Sequence, residues 1–178
     1  MDQPISLDAV IEFLVSTPFF DGLDPFERAE VVRIMEVIRL QEGEEVFHEG
    51  TSGDSWYVIF EGEVRVLKDA DTEAESEIAR LGPGKCFDEM AILNGMPRSA
   101  NVRAAGPLTI FRFRRDRFDG LLAQGSLGAY KLVAAMARVL SHRHRQLTHQ
   151  IFDLLAGQAQ VPAAQAASAS VDRYQVSE

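Results

Sequence analysis

A short stretch in the middle of the chain combines the residue types that bind an anion. Arg98 follows Pro97, so its guanidinium projects from a turn whose backbone is restrained on one side. Ser99 adds a hydroxyl and a backbone N–H beside it. Residues 89–93 can form one or two helical turns, and the first N–H groups of such a turn are available to an anion. The carboxylate of Glu89, at the same end, only accepts hydrogen bonds and is suited to accept one from a hydroxyl group. Together these groups predict a receptor for a sugar phosphate.

These residues resemble the phosphate-binding cassette of the cyclic nucleotide-binding domain family, which occurs in bacterial catabolite activators, cyclic-nucleotide-dependent kinases and gated channels. The family pattern is roughly Phe-Gly-Glu-Leu-Ala-Leu-Leu, a few residues, then Pro-Arg-Ser/Thr/Ala-Ala-Thr-Val. A second motif, Gly-Asp-x-x-Tyr-x-Ile-x-x-Gly-x-Val-x-Val, begins upstream at Gly53. Two motifs in the right order favour the fold more strongly than they favour ligand binding, because one fold hosts several functions. The residues that match the cassette pattern are Phe87, Glu89, Ala91, Leu93, Pro97, Arg98, Ser99, Ala100 and Val102.

The resemblance implies a mainly β fold with flanking helices: an eight-stranded jelly-roll barrel with the cassette near its end. It implies cyclic AMP or cyclic GMP as the ligand, with Glu89 accepting the ribose 2′-OH and Arg98 holding the phosphate. The hydroxyl of Ser99 permits either nucleotide, and we favour cyclic AMP. A side chain larger than alanine at position 91 would crowd the phosphate. The expected ligand-contacting residues are Phe87, Asp88, Glu89, Met90, Ala91, Arg98, Ser99, Ala100 and Val64.

Asp88 departs from the family pattern, which usually has glycine at this position. Aspartate tolerates left-handed dihedrals better than most residues, so the backbone can keep its conformation. Its charge matters more: about 6 Å from a phosphate, at an effective dielectric constant of about 20, the repulsion is on the order of 3 kcal/mol. A carboxylate that points to water would cost less than about 1 kcal/mol. Asp88 therefore leaves binding intact, weakens it, or marks a domain that has lost its ligand.

Hydrophobic periodicity predicts helices at both ends of the chain and strands between them. Helices are expected within residues 6–36, where Asp24, Pro25 and Glu27 form a helix start, and again within 116–156. Residues 37–114 carry short β-branched runs at barrel or sandwich spacing. The expected domain covers residues 1–156, and 157–178 are expected to form a flexible tail. The predicted strands are 37–40, 46–48, 56–60, 63–67, 76–81, 101–104 and 108–113.

The composition excludes several classes of function. A net charge of −9 and a pI near 4.9 argue against general nucleic-acid binding. No apolar run approaches the roughly 20 residues that span a membrane, and no secretory signal is apparent. The single cysteine, Cys86, fits a reducing cytoplasm. We find no nucleophile elbow, phosphate-binding loop or metal motif, so neither an enzyme nor a metal site is expected.

We expect a sensor built on this domain to signal through a protein partner. We expect residues 116–124 to act as a hinge for the long C-terminal helix, and apolar residues late in that helix to close over the base. About 22 residues follow that helix, too few for a helix-turn-helix domain, so a DNA-binding output is not expected. A homodimer through the helix is an open alternative, with Arg143 interrupting the apolar seam. Two alternatives remain. One is a ligand-free interaction scaffold, which Asp88 favours, and the other is a sensor that binds a different anion such as cyclic di-GMP.

Overall fold

The computed structural model describes residues 5–159, so the predicted tail lies outside the described residues from position 160 onward. The order of elements is two helices, eight strands interrupted by one short helix, and two further helices. The helices are α1 (Leu7–Ser16), α2 (Pro25–Ile34), α3 (Glu89–Leu93), α4 (Arg115–Ala123) and α5 (Leu127–Ala159). The strands are β1 (Met35–Leu40), β2 (Glu45–Phe47), β3 (Ser55–Glu61), β4 (Val64–Lys68), β5 (Ser76–Leu81), β6 (Cys86–Phe87), β7 (Asn101–Ala104) and β8 (Leu108–Arg114).

The start of α2 forms as its sequence predicts. The Asp24 carboxylate accepts a hydrogen bond from the Glu27 backbone N–H at 2.9 Å. The Glu27 carboxylate in turn accepts one from the Asp24 N–H at 2.7 Å. This capping box satisfies two N–H groups that the helix itself cannot pair. The helix ends at Ile34, slightly earlier than expected, because Met35 already pairs with Phe113 as the first residue of β1.

The strands form two four-stranded antiparallel sheets, ordered β1-β8-β3-β6 and β2-β7-β4-β5. The prediction of a mainly β jelly roll with flanking helices is confirmed, although the sheets do not close into a continuous barrel. Both sheets contribute to one core. Its buried members are Phe47, Tyr57, Ile59, Val64, Phe87, Val102, Ala104, Leu108 and Ile110.

Strand β3 is buried on both faces, because its alternate side chains enter two different cores. Tyr57 and Ile59 join the core between the sheets. Trp56 points to the other face, where its ring stacks on Phe113 with 4.2 Å between centroids and packs edge-on against Phe118 of α4. Helix α4 therefore covers this face of the sheet that carries the cassette.

The turn between β3 and β4 requires glycine. Gly62 has φ of +86°, and a Cβ at this position would lie 2.3 Å from the carbonyl oxygen of Pro107. Neither the dihedral nor the contact suits an L side chain. The close approach brings the β3–β4 turn against the segment that leads into β8.

Contacts divide the chain into two units at Ala137 and Arg138. In the first unit the opening turns of α5 pack on α2: Lys131 donates to both carboxylate oxygens of the buried Glu27 at 2.7 and 2.8 Å. In the second unit, α5 continues with exposed apolar side chains. Among the described helices, none is long and apolar enough to cross a membrane. The exposed apolar residues of this part of α5 are Leu147, Ile151, Phe152, Leu154 and Leu155.

Candidate functional site

The predicted cassette begins on strand β6, which the sequence did not reveal because it is two residues long. Cys86 pairs with Val58 of β3, and Phe87 pairs with Tyr57. The rings of Phe87 and Tyr57 stack with 5.1 Å between centroids and 13° between planes. Asp88 follows with φ of 61° and ψ of 20°, a left-handed conformation, and α3 starts at the next residue. The backbone at Asp88 thus has the dihedrals for which glycine is usually used.

The backbone of Arg98 is fixed by the loop between β2 and β3. Its N–H donates to the Thr51 carbonyl oxygen at 3.0 Å, and its own carbonyl accepts from the Gly50 N–H at 2.8 Å. The side chain turns inward and is only 10% exposed. The guanidinium carbon lies 4.3 Å from the centroid of the Phe47 ring, within cation–π distance. Arg98 is therefore a positioned cation of the cassette rather than a surface arginine.

The guanidinium of Arg98 is already engaged by a carboxylate of the same chain. Its Nε lies 2.8 Å from Oδ2 of Asp88, whose side chain is 7% exposed. Weaker contacts surround the rest of the group: 3.3 Å to the hydroxyl of Thr51, 3.5 Å to the phenol of Tyr57, and 3.5 Å to Asp54, which is 72% exposed. The sequence left open whether Asp88 points to water or towards a phosphate. It points inward, since it forms a buried ion pair with the predicted phosphate-binding residue.

Burial dominates the protonation of Asp88. It raises the pKa of this carboxyl to about 6, while the hydrogen bond and the charge of Arg98 lower the pKa and the charges of Glu89 and Asp54 raise it further. Burial also raises the pKa of the Tyr57 phenol, with Arg98 opposing the shift. Asp88 thus titrates in the range where a small change in its surroundings changes its charge.

The remaining predicted site residues differ in how far they are buried. Glu89 opens α3 and is only 1% exposed, so its carboxylate is held inside the cassette. Ala91 lies in the same helix. Met90 and Ser99 are exposed. The residues of this set that are buried and apolar are Phe87, Ala100 and Val64, of which Phe87 and Val64 belong to the core between the sheets.

Four residues around Arg98 were not assigned to the site from the sequence. Thr51 and Asp54 lie before β3, Tyr57 lies on it, and Phe47 ends β2. Two of them, Asp54 and Tyr57, belong to the upstream Gly-Asp-x-x-Tyr motif. This motif, which lies about 40 residues before Arg98, was the available signal, and the pairing of β3 with β6 helps to bring the two together.

The loop after α3 lies against the start of α4. The Asn94 side chain accepts a hydrogen bond from the Met96 N–H at 3.0 Å, and Gly95 between them has φ of +64°. A Cβ on Gly95 would lie 2.9 Å from an Nη atom of Arg115. Arg115 also approaches Asp119 one turn further along α4, at 3.8 Å. The cassette is therefore in direct contact with the helix that precedes α5.

Comparison with known proteins places the fold and the cassette in one family. The family model for the cyclic nucleotide-binding domain matches residues 37–125. The chain is 31% identical over 110 residues to a cAMP-dependent protein kinase regulatory subunit of Blastocladiella emersonii. The matched region covers 62% of this chain and 27% of that protein. The chain thus spans about a quarter of the length of this relative.

Two solved structures extend the likeness to three dimensions. A cyclic nucleotide-binding domain from Methylobacillus flagellatus KT superposes with a TM-score of 0.71 at 27% identity, over 82% of each chain. The catabolite activator protein of Thermus thermophilus superposes with a TM-score of 0.62 at 29% identity, over 78% of this chain and 63% of that one. The chain belongs to the cyclic nucleotide-binding domain family, and its cassette departs from the family pattern at Asp88.

Proposed function

We propose that this protein is a sensor that binds a cyclic nucleotide through the cassette and passes the signal to a protein partner. The observation that carries the proposal is the placement of Arg98, an almost buried guanidinium beside the first turn of α3. Arginine binds phosphate through charge-assisted, often bidentate hydrogen bonds. Glu89, buried at the start of the same helix, is suited to the ribose hydroxyl. This set of groups fits a cyclic sugar phosphate.

Cyclic AMP is the ligand we favour over cyclic GMP. The kinase regulatory subunit from Blastocladiella emersonii is described as cAMP-dependent. A structural neighbour, the regulatory domain of Toxoplasma gondii protein kinase A, was solved with cAMP and is 25% identical, with a TM-score of 0.57. Ser99, next to Arg98, has a hydroxyl that can serve the phosphate of either nucleotide. The preference therefore rests on the relatives rather than on a base-specific group.

We further propose that the output runs through α4 and α5 to a protein effector in the cytoplasm, without catalysis by this domain. The contact between Gly95 and Arg115 joins the cassette loop to α4 and supports this route. The test is hydrogen exchange with and without cyclic AMP. We expect altered exchange in residues 115–155 as well as in the cassette; a change confined to the cassette would refute the relay.

A homodimer through α5 is part of the same proposal. Leu147, Ile151 and Leu154 are exposed at the 4-3 spacing of a coiled-coil seam. Light scattering after size exclusion tests this, with Leu147→Ala and Ile151→Ala in combination as the disrupting variant. A monomer at all concentrations would refute the dimer and leave the sensor intact.

One observation favours a second function, a ligand-free interaction scaffold. Asp88 neutralises Arg98 within the chain, so the strongest anion-binding group is occupied without a ligand. A scaffold would recruit its partner through the helices and ignore nucleotides. The two functions differ in a direct binding measurement.

Isothermal titration with cyclic AMP and then cyclic GMP decides between them. We expect a Kd in the micromolar range or below for the sensor. Arg98→Ala should weaken binding by at least about thirtyfold, because losing one member of a buried charge pair costs about 2–5 kcal/mol. Arg98→Lys should also bind poorly, since an ammonium lacks the planar fork. Arg33→Ala, an exposed arginine at the end of α2, is the matched control. No heat up to about a millimolar, at any pH between about 5 and 8, would refute the sensor and support the scaffold.

A further inference from the structure

The cassette carries its own anion. Asp88 and Arg98 form a contact of 2.8 Å between side chains that are 7% and 10% exposed, and Asp88 approaches through Nε. A phosphate that enters the cassette must therefore either share the guanidinium with this carboxylate or remove its charge. Two anions on one buried cation repel each other strongly, because the interior screens charges less than water does.

The backbone prevents Asp88 from leaving the site easily. Its left-handed conformation lies between the strand β6 and the helix α3, which are both held by backbone hydrogen bonds. An aspartate side chain has only two rotatable bonds, so its carboxyl cannot travel far from a fixed Cα. The side chain does not cap α3 either, since it makes no hydrogen bond to the first N–H groups of that helix. Loss of charge is then easier than loss of position.

We propose that Asp88 competes with the ligand phosphate for Arg98, and that cyclic-nucleotide binding therefore takes up one proton on the Asp88 carboxyl. The neutral carboxyl no longer repels the phosphate, and its new O–H becomes a hydrogen-bond donor to a phosphate oxygen. The proton comes from solvent, and no other bond changes. This inference rests on the proposed function, because it describes how the cassette admits its ligand.

Among the described residues, the charges that most affect the ionisation of Asp88 are those of Arg98, Glu89 and Asp54. Arg98 stabilises the carboxylate, whereas Glu89 from α3 and Asp54 from the loop before β3 repel it. Tyr57 from β3 faces the same pair and stays neutral, because burial raises the pKa of its phenol. Once the phosphate engages Arg98, this stabilising charge is shared and another negative charge is added. Both changes raise the pKa of Asp88 from its starting value of about 6.

The consequence is an affinity that falls as the pH rises. Below about pH 5 the carboxyl is already protonated, and the Kd is constant. Above the Asp88 pKa of about 6, the Kd increases by up to about tenfold for each pH unit. The ligand does not account for this trend, since a cyclic phosphodiester keeps one negative charge throughout this range. The cassette then binds its ligand more tightly under acidic conditions.

Titration calorimetry with cyclic AMP from about pH 5 to about pH 8 tests the proposal. At each pH it uses a pair of buffers that differ in ionisation enthalpy, such as HEPES and Tris near pH 7.5. We expect uptake of about one proton per ligand near pH 7.5 and almost none near pH 5. Asp88→Asn keeps a residue that tolerates the left-handed backbone but removes the charge. It should bind at least about tenfold more tightly than the parent near pH 7.5, with a Kd independent of pH. Asp88→Gly, the residue usual in the family, serves as a second variant.

The control and the outcomes separate this proposal from the sensor itself. Asp21→Asn removes an exposed carboxylate in the turn before α2 and should leave both the Kd and its pH dependence unchanged. If the parent binds cyclic AMP with the same Kd at all pH values and no proton uptake, Asp88 does not compete and this proposal fails while the sensor stands. If neither the parent nor Asp88→Asn binds cyclic AMP or cyclic GMP at any pH, the sensor fails, and this proposal with it.

Discussion

Replacing Arg98 with alanine should destabilise the protein by an amount that depends on pH. The change removes the cation next to Asp88 and leaves a carboxyl that is 7% exposed without its main counter-charge. A buried carboxyl in this position can escape the cost of an unpaired charge by taking up a proton. The penalty is then set by the free energy of protonation at the working pH.

The magnitude follows from the pKa of Asp88, which is about 6 in the parent protein. Near pH 7.5 the parent carboxyl is ionised, and keeping it neutral in the variant costs about 1.36 kcal/mol for each of about 1.5 pH units, or at most about 2 kcal/mol. Loss of the cation–π contact with Phe47 adds about 1 kcal/mol. The total is about 3 kcal/mol near pH 7.5. Near pH 5 Asp88 is mostly neutral in both proteins, so only about 1 kcal/mol remains.

The sign of the pH dependence in the parent follows from the same value. The pKa of Asp88 is raised in the folded state, from 3.8 to about 6. The folded protein therefore holds the proton more tightly, and the stability that Asp88 contributes is fully present below about pH 4 and lost as the pH rises through about 6. Arg98→Ala extends this loss to higher pH.

Urea denaturation followed by tryptophan fluorescence measures the effect, since Trp56 is fully buried. The free energy of unfolding of parent and variant is compared near pH 5 and near pH 7.5. Adding Asp88→Asn to Arg98→Ala should remove the pH-dependent part, because asparagine does not ionise. A destabilisation that is equal at the two pH values, or that persists unchanged in the double variant, would show that the pair is not a buried ion pair.

Two further predictions concern the frame that holds the cassette. Gly62→Ala should destabilise the protein by about 2–4 kcal/mol, because the new Cβ would lie 2.3 Å from the Pro107 carbonyl oxygen at a positive φ; Gly106→Ala, which meets nothing within 4 Å, is the control for urea denaturation and should change stability by less than about 1 kcal/mol. Asp24→Ala should cost about 1–2 kcal/mol in the same assay, since it breaks the capping box with Glu27; a change near zero would show that the box contributes little.

Local sequence was sufficient to predict features that depend only on near neighbours in the chain. Asp24, Pro25 and Glu27 predicted the start of α2, and the capping box confirms it. The β-branched runs predicted seven of the eight strands, because alternating burial marks a sheet face within a few residues. Strand β6 was not predicted, because two residues are too few to show a hydrophobic periodicity.

The residues predicted to bind an anion could be picked out in the sequence, because they lie close together in the chain. The family pattern drew attention to Asp88, and its tolerance of left-handed dihedrals matches the observed φ of 61°. What the sequence could not provide was the direction of its side chain. Arg98 is ten residues away, and the intervening loop could have carried it anywhere on the surface.

Tertiary structure alone decided that the two side chains meet. The loop at Gly50 and Thr51 fixes the backbone of Arg98, and Phe47 supports its guanidinium from β2. Pairing of β6 with β3 then places Asp88 next to this guanidinium. The sequence by itself determined that the chain has a cation, a helix start and an unusual carboxylate in one cassette. Their ion pair depends on segments about 40 residues upstream. Two charges pair when they lie close together in space, and only the packing of the sheets sets that distance.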